Sequence, residues 1–274
     1  MKIPVIRKQA PLLVAAGVST LTKVEFEGNA CPAVLKEPKQ FWDEIFIANE
    51  AYILGEITHP RVRRRLAYEA GSHRLFLEYV EGATLHELVL GGIALQEPAR
   101  THRILQSVAE TMADLHAGIW CDRPVIHNDL KSLNVLVPAN APQESRLIDF
   151  SHSYFKDRVP PFIADEKQDR VGTAKYMAPE KWAGDFSHGF KSDVFAFGVL
   201  ACFTYTGTYP FAGDPAAIER QICTGTPPLA IKPGMHVLRN IWAVLLACLE
   251  KNPAGRPTME YLAKCYAESA GLLA

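Results

Sequence analysis

The sequence predicts an α+β chain of two lobes, a small antiparallel sheet carrying one helix followed by a larger helical lobe. Three observations predict it. Up to about residue 80, short apolar runs alternate with turn residues and are interrupted by one helical period; from Gly82 onward, apolar positions recur mainly at helical spacing. The composition, 48% hydrophobic and 22% charged, supplies a core and argues against disorder over most of the length. At 274 residues the chain suits two lobes facing one cleft, residues 1–80 and 81–274, within one domain.

In the first lobe, residues 12–16, 22–26 and 33–36 are short apolar-rich runs, with Gly28-Asn29 as a turn signal. Residues 41–57 change period: Ile45, Ala48, Tyr52 and Glu56 fall on helical spacing, with Ile53 beside them. Residues 75–80 return to strand character. Farther on, Ile104, Val108, Met112 and Leu115 mark one face of a long amphipathic helix. Residues 134–137 and 146–148 are β-like runs around a turn at 138–145, and 193–206 and 241–249 read as strongly apolar helices.

Charge and cysteine usage narrow the function classes. A net charge of -1 gives no electrostatic case for nucleic acid or an anionic membrane as the main partner. Six scattered cysteines without a Cys-x-x-Cys pair suggest reduced thiols, hence a cytoplasmic setting with the nucleus as the alternative, and neither zinc nor a disulfide framework. The apolar run at residues 12–16 is too short for a signal peptide, and the one at 194–203 falls well below the ~20 residues of a membrane span. Arg61, Arg63, Arg64 and Arg65 form a basic cluster, read as a solvated edge or, alternatively, as a docking surface for an acidic partner.

The chemistry is concentrated in Val125-Ile126-His127-Asn128-Asp129-Leu130-Lys131-Ser132-Leu133-Asn134-Val135-Leu136, followed by Leu147-Ile148-Asp149-Phe150-Ser151. In order and spacing, these stretches resemble the catalytic loop and the metal-binding loop of eukaryotic-type protein kinases. The resemblance covers nearly the whole chain. Gly172-Thr173-Ala174-Lys175-Tyr176-Met177-Ala178-Pro179-Glu180 resembles the end of an activation segment, Ser192-Asp193-Val194-Phe195-Ala196-Phe197-Gly198 the buried anchoring helix, and Asn252-Pro253-Ala254-Gly255-Arg256-Pro257-Thr258 the closing motif. It implies the bilobal protein-kinase fold and transfer of the γ-phosphate of ATP, with Mg2+, to a protein hydroxyl. That reaction needs a carboxylate to receive and orient the hydroxyl and oxygen ligands for the metal. By resemblance, Asp129 takes the first task, Lys131 offsets charge on the moving phosphoryl group, and Asn134 and Asp149 hold the metal. Glu180 should pair with Arg256.

In the small lobe, Ala33-Val34-Leu35-Lys36 resembles the lysine-bearing strand, so Lys36 should grip the α- and β-phosphates. Its helix partner is expected at Glu50, nine residues before His59-Pro60, with Glu44 and Glu56 as rivals. Leu77-Glu78-Tyr79-Val80 resembles the hinge, where backbone groups of Glu78 and Val80 meet adenine behind Leu77; Val24, Val34 and Leu136 should sandwich the ring. Aligned on Val24, the glycine-rich loop keeps only Gly17, and Ser19 and Thr22 replace glycines that let backbone approach phosphate.

Two further departures concern control. Ser151 replaces the glycine after Asp149-Phe150, which should restrict flipping of the metal loop. Asn128 stands where many family members carry an arginine that pairs with a phosphorylated activation segment, so a phosphate on Ser151, Ser153, Tyr154, Thr173 or Tyr176 loses that anchor. Lys131 and Thr173 fit serine/threonine specificity, and the wording Asp-Leu-Lys-Ser with Met-Ala-Pro-Glu is similar to the tyrosine-kinase-like group. Two other readings stand beside this one. A pseudokinase scaffold fits the degraded glycine loop, but Lys36, Glu50, Asp129, Asn134 and Asp149 oppose it. A small-molecule kinase of the aminoglycoside type shares a motif similar to His127-Asn128-Asp129, but lacks an activation segment ending in Ala-Pro-Glu.

Overall fold

β1 (Ile6–Pro11), β2 (Ser19–Phe26) and β3 (Ala33–Pro38) pair as neighbours; α1 (Glu44–Glu56) follows, and β4 (Arg65–Glu69) and β5 (Arg74–Glu78) return to complete one sheet. The structure is a computed structural model that describes residues 6–12, 19–27, 31–164, 174–225 and 239–270. The sheet is antiparallel throughout, in the order β1-β2-β3-β5-β4. Side chains alternate across it. Val34 lies opposite Lys23 and Leu77, and Lys36 opposite Leu21 and Leu75, on the face that packs with α1 and the main core. Val24, Phe26, Ala33, Leu35 and Phe76 form a separate cluster on the other face.

Two expectations for this lobe are corrected, the position of the first strand and the arginine cluster, and the expected helix is present with its buried face now assigned. The first strand is Ile6–Pro11, upstream of the apolar run expected at 12–16; Leu12 continues the pairing through its N–H to Leu21 O at 3.0 Å, and 13–16 lie outside the described residues, as do Gly28 and Asn29. α1 buries Ile47, Glu50, Ala51, Ile53 and Leu54, whereas Ile45 and Tyr52 are exposed. Both sides of that helix are apolar, so periodicity alone does not select the buried one. The arginine cluster is only partly a surface, because Arg64 and Arg65 are exposed while Arg61 is half-buried. Arg61 bonds to Glu110 and Thr111, Arg63 is buried, and Arg65 donates to the carbonyl of Ala51 on α1 at 2.7 Å. The four side chains therefore do not form one continuous patch, and nothing in the structure supports the docking surface expected for an acidic partner.

The larger lobe comprises β6 (Ala83–Thr84), α2 (Leu85–Leu90), α3 (Ile93–Gln96), α4 (Pro98–Ala117), β7 (Val125–Ile126), β8 (Val135–Val137), β9 (Arg146–Leu147), β10 (Tyr154–Phe155), α5 (Pro161–Ala164), α6 (Pro179–Trp182), α7 (Gly189–Thr206), α8 (Pro215–Cys223), α9 (Arg239–Cys248) and α10 (Met259–Ser269). β6 pairs with β8, not with the five-stranded sheet, so the chain passes between the two layers just after Glu78. α4 opens with proline in its first turn, buries Ile104, Val108, Met112 and Leu115, and stops at Gly118 in left-handed backbone. α7 is buried without interruption from Ser192 to Tyr205, the signature of a helix surrounded on all sides. The expected Glu180–Arg256 pair forms as a two-pronged bridge, both contacts 2.7 Å, with Ser192 Oγ donating to the same carboxylate. Among the described residues no helix is long and apolar enough to cross a membrane.

Candidate functional site

The cleft between the layers gathers the expected charged groups. Lys36 projects from β3 toward α1, where its Nζ lies 2.6 Å from Glu50 Oε2 and 3.0 Å from Asp149 Oδ1. The other Glu50 oxygen accepts the backbone N–H of Phe150 at 3.1 Å, so one buried carboxylate binds both the lysine and the metal loop. Glu44 faces His73 instead, and Glu56 is exposed at the end of α1. Burial works against the Lys36 ammonium, but Asp149 and Glu50 override it and hold the amine above its ordinary pKa. Burial likewise opposes charge on Asp149, and Lys36, Lys131 and the Ser151 hydroxyl hold it well below the usual carboxylate range. Both groups are therefore charged at neutral pH.

Across the cleft, Asp129 Oδ2 accepts from Lys131 Nζ at 2.6 Å and from Asn134 Nδ2 at 3.0 Å. The same Asn134 amide nitrogen also donates to Asp129 O at 2.9 Å, which aims its side-chain oxygen away from the loop. Despite burial, Lys131 and His152 keep the Asp129 carboxyl below its ordinary pKa. The loop is held from beneath by Asp193 on α7, which accepts the N–H groups of His127 and Asn128, each at 2.9 Å, and His116 Nε2 at 3.0 Å. His127 packs its ring 4.7 Å from that of Phe150, and burial lowers its pKa toward the neutral form. It is a packing group.

The expected base-binding wall is placed only in part. Val34 and Leu77 face each other on the sheet face that carries Lys36, and Leu136 lies in β8 of the other layer. Val24 belongs to the outer cluster, so it cannot sandwich a base; Leu21 and Lys23 occupy the cleft face of β2. An alignment shifted by one residue reverses every side chain of a strand. Glu78 ends β5, with its carboxylate on Arg146 at 3.3 Å and its N–H on Arg64 O, and Val80 follows it into the crossing. Gly17 and Thr173 lie outside the described residues.

Four residues escaped the sequence reading. Asp193 and His116 act across long separations that no local pattern reveals. Asn49, beside Glu50, donates to the carbonyl oxygens of Ser151 and Ser153, both at 2.9 Å. Lys181 donates to Asn128. Of these, only Asn49 carried a signal, a polar residue on the turn of the helix that bears Glu50.

The donor set fits magnesium. Asp149 and Asn134 offer only oxygen, and among the described residues no group of three or more His, Cys, Asp or Glu side chains forms a cage for another metal. Magnesium commonly takes one or two protein oxygens and completes its shell with phosphate and water.

Comparison with known proteins agrees with this geometry. The family described as "Protein kinase domain" matches residues 22–266. The chain is 30% identical over 214 residues to "Serine/threonine-protein kinase pkn2" of Myxococcus xanthus, covering 76% of this chain and 25% of that protein. It is 31% identical to "Serine/threonine-protein kinase pkn3" of the same organism, over 76% of this chain and 38% of that one. "Serine/threonine-protein kinase PkaA" of Streptomyces coelicolor is 30% identical, with 78% of this chain and 38% of the relative covered. The chain thus spans well under half the length of these relatives.

Proposed function

Because the chain belongs to the protein kinase family, we propose that it transfers the γ-phosphate of ATP, with Mg2+, to serine or threonine hydroxyls of protein substrates. One observation carries the reading: Lys36, Glu50 and Asp149 converge on one side of a cleft whose other side presents Asp129, Lys131 and Asn134. The presence of these six residue types supports an enzyme over a pseudokinase scaffold.

Each residue has a defined task. Lys36, fixed by Glu50, binds phosphate oxygens and exchanges its contact with Asp149 for them. Asp149 and Asn134 would hold Mg2+, which when bound would supply positive charge to offset that of the phosphates. Asp129 accepts a hydrogen bond from the attacking hydroxyl, aligns it with the phosphorus and receives its proton. Lys131, on the Asp129 carboxylate, stands where charge on the transferring group is to be neutralised. The serine/threonine assignment rests on Lys131 and on the relatives' names, and the lobe boundary near residue 80, the tyrosine-kinase-like grouping and a cytoplasmic setting are carried with it as inferences from the sequence.

The test is phosphoamino-acid analysis of a protein substrate pool after incubation with MgATP, with Asp129→Asn as control. Phosphoserine and phosphothreonine, absent with the control, are expected. Predominant phosphotyrosine overturns the hydroxyl assignment, and no transfer above the control overturns the enzyme reading.

A further inference from the structure

Arg63 stands apart from the other arginines that lead into β4. It is 8% exposed, yet its guanidinium makes no hydrogen bond or ion pair among the described residues, and its Nε–H is buried without an acceptor. Two residues on, Arg65 opens β4 opposite Leu77 and reaches α1, so Arg63 lies in the segment that leads into the sheet. Its backbone N–H donates to Leu147 O at 3.0 Å, fixing it just before the metal loop. Glu50, Asp149 and Glu78 are the carboxylates near enough to act on its charge. Each is engaged elsewhere: Glu50 with Lys36 and Phe150 N, Asp149 with Lys36 and Ser151, Glu78 with Arg146.

A guanidinium carries five donors and no acceptor, and leaving its Nε–H buried and unpaired is costly. Such a group calls for an explanation, and a ligand in the cleft supplies one. The three carboxylates around Arg63 belong to the helix, the metal loop and the hinge strand, and its backbone is fixed to Leu147, which places it at the inner end of the cleft. A purine that turns its Watson–Crick edge to the backbone of residues 78–80 turns its five-membered-ring edge, with the acceptor N7, toward that inner end. Val34, Leu77 and Leu136, the apolar residues expected around a base, offer no side-chain donor.

We propose that Arg63 reads the nucleobase, donating from its guanidinium to N7 of the bound purine. The inference rests on the reading of the cleft as a nucleotide site. A guanidinium suits this role because it is planar and weakly hydrated and can donate a single N–H to N7 beside the adenine amino group.

The test compares ATP with 7-deaza-ATP, in which a C–H replaces N7, by calorimetric titration of the wild-type chain and of Arg63→Met with Mg2+ present. The wild type should bind ATP about tenfold more tightly than 7-deaza-ATP, the effect of one hydrogen bond from a charged donor. Arg63→Met should bind the two alike, and its unliganded melting temperature should be equal or higher, because an unpaired buried charge has been removed. Equal binding of both nucleotides by the wild type overturns the proposal while leaving the nucleotide site intact, and so does undiminished discrimination by Arg63→Met. Absence of ATP binding by the wild type overturns the nucleotide reading itself. If Arg63→Met does not fold, the wild-type comparison still decides, and Arg63 is then a structural cation if that comparison shows no preference.

Discussion

Lys181, in α6, donates its ammonium to the side-chain oxygen of Asn128 and, at 3.3 Å, to its carbonyl oxygen, so the end of the activation segment is tied directly to the catalytic loop. In relatives with arginine at this position, the loop supplies a cation that a phosphate must engage. Here the cation comes from the segment and is already engaged. Asn49 adds a second tie, from α1 to the carbonyls of Ser151 and Ser153.

Catalysis should therefore not require a phosphorylated segment. Ser151, Ser153, Tyr154 and Tyr176 are all buried, which closes them to a modifying enzyme in this conformation; Thr173 lies outside the described residues. Exhaustive phosphatase treatment, verified by mass spectrometry, should leave initial rates within a few-fold. Loss of an ordering interaction of about 1.4 kcal/mol would instead cost tenfold. A collapse in rate, restored by rephosphorylation, would sink the prediction.

Lys36→Met should abolish transfer, and the geometry adds a stability cost to what the sequence implies. The methylene stem is replaced with little packing change, but Glu50 loses the cation that compensates its burial. Breaking a buried pair from one side costs about 3–5 kcal/mol, softened to the extent that Glu50 takes up a proton. Thermal melting should show a drop for Lys36→Met that Lys36→Met/Glu50→Gln largely reverses, with neither variant active. Equal melting of the single variant and wild type would show that the pair contributes nothing to stability.

Glu180→Ala should destabilise by about 3–5 kcal/mol, because it leaves the Arg256 guanidinium buried and without its carboxylate. Acid provides an independent check. Burial opposes charge on Glu180, but Arg256 holds its pKa below the ordinary 4.5. The folded state thus binds this proton less readily than the unfolded chain, so the stabilisation is present above pH 4.5 and is lost as pH falls through the depressed value. The wild type should lose its advantage over Glu180→Ala on acidification; a gap in melting temperature that stays constant below pH 4 would contradict this.

Asp193→Asn should lower kcat far more than it raises KM. The carboxylate accepts from His127 N–H, Asn128 N–H and His116, and an amide in its place turns a donor toward at least one of these donors. Losing a hydrogen bond to a charged acceptor costs roughly 1.5–3 kcal/mol, here spent on aiming the loop that carries Asp129. Steady-state kinetics with MgATP and a protein substrate check it. A KM effect with unchanged kcat would place the role of Asp193 elsewhere.

The legible and illegible parts of this chain differ for physical reasons. Asp129, Lys131, Asn134 and Asp149 sit on short loops where sequence spacing fixes spatial spacing, so the motif locates them. Lys36 and Glu50 could be paired because strand and helix are close in the chain. β4 was obscured because it opens at Arg65 directly after Arg63 and Arg64, so a charged run hides its start, and β1 by Arg7, Lys8 and Gln9 on a sheet edge. Val24 was misplaced because a loop that has lost its glycines no longer marks register. Asp193 reaches His127 from 66 residues away, a relation set by the packing of α7.

Asn128 and Asp149 both hold left-handed backbone, with φ of +67° and +63°. For residues other than glycine this conformation costs about 1 kcal/mol, least for Asn and Asp, whose short polar side chains tolerate it. Asp193 holds one and the Ser151 hydroxyl, with the Glu50–Phe150 bond, steadies the other. The two turns behave like a pair of cocked springs pinned by side chains that never touch the phosphate. Glycine at either turn relaxes the spring: at position 128 the chain gains ease of backbone and gives up the pin to Lys181, so this cleft is kept accurate by positions that a search for greater stability would be the first to soften.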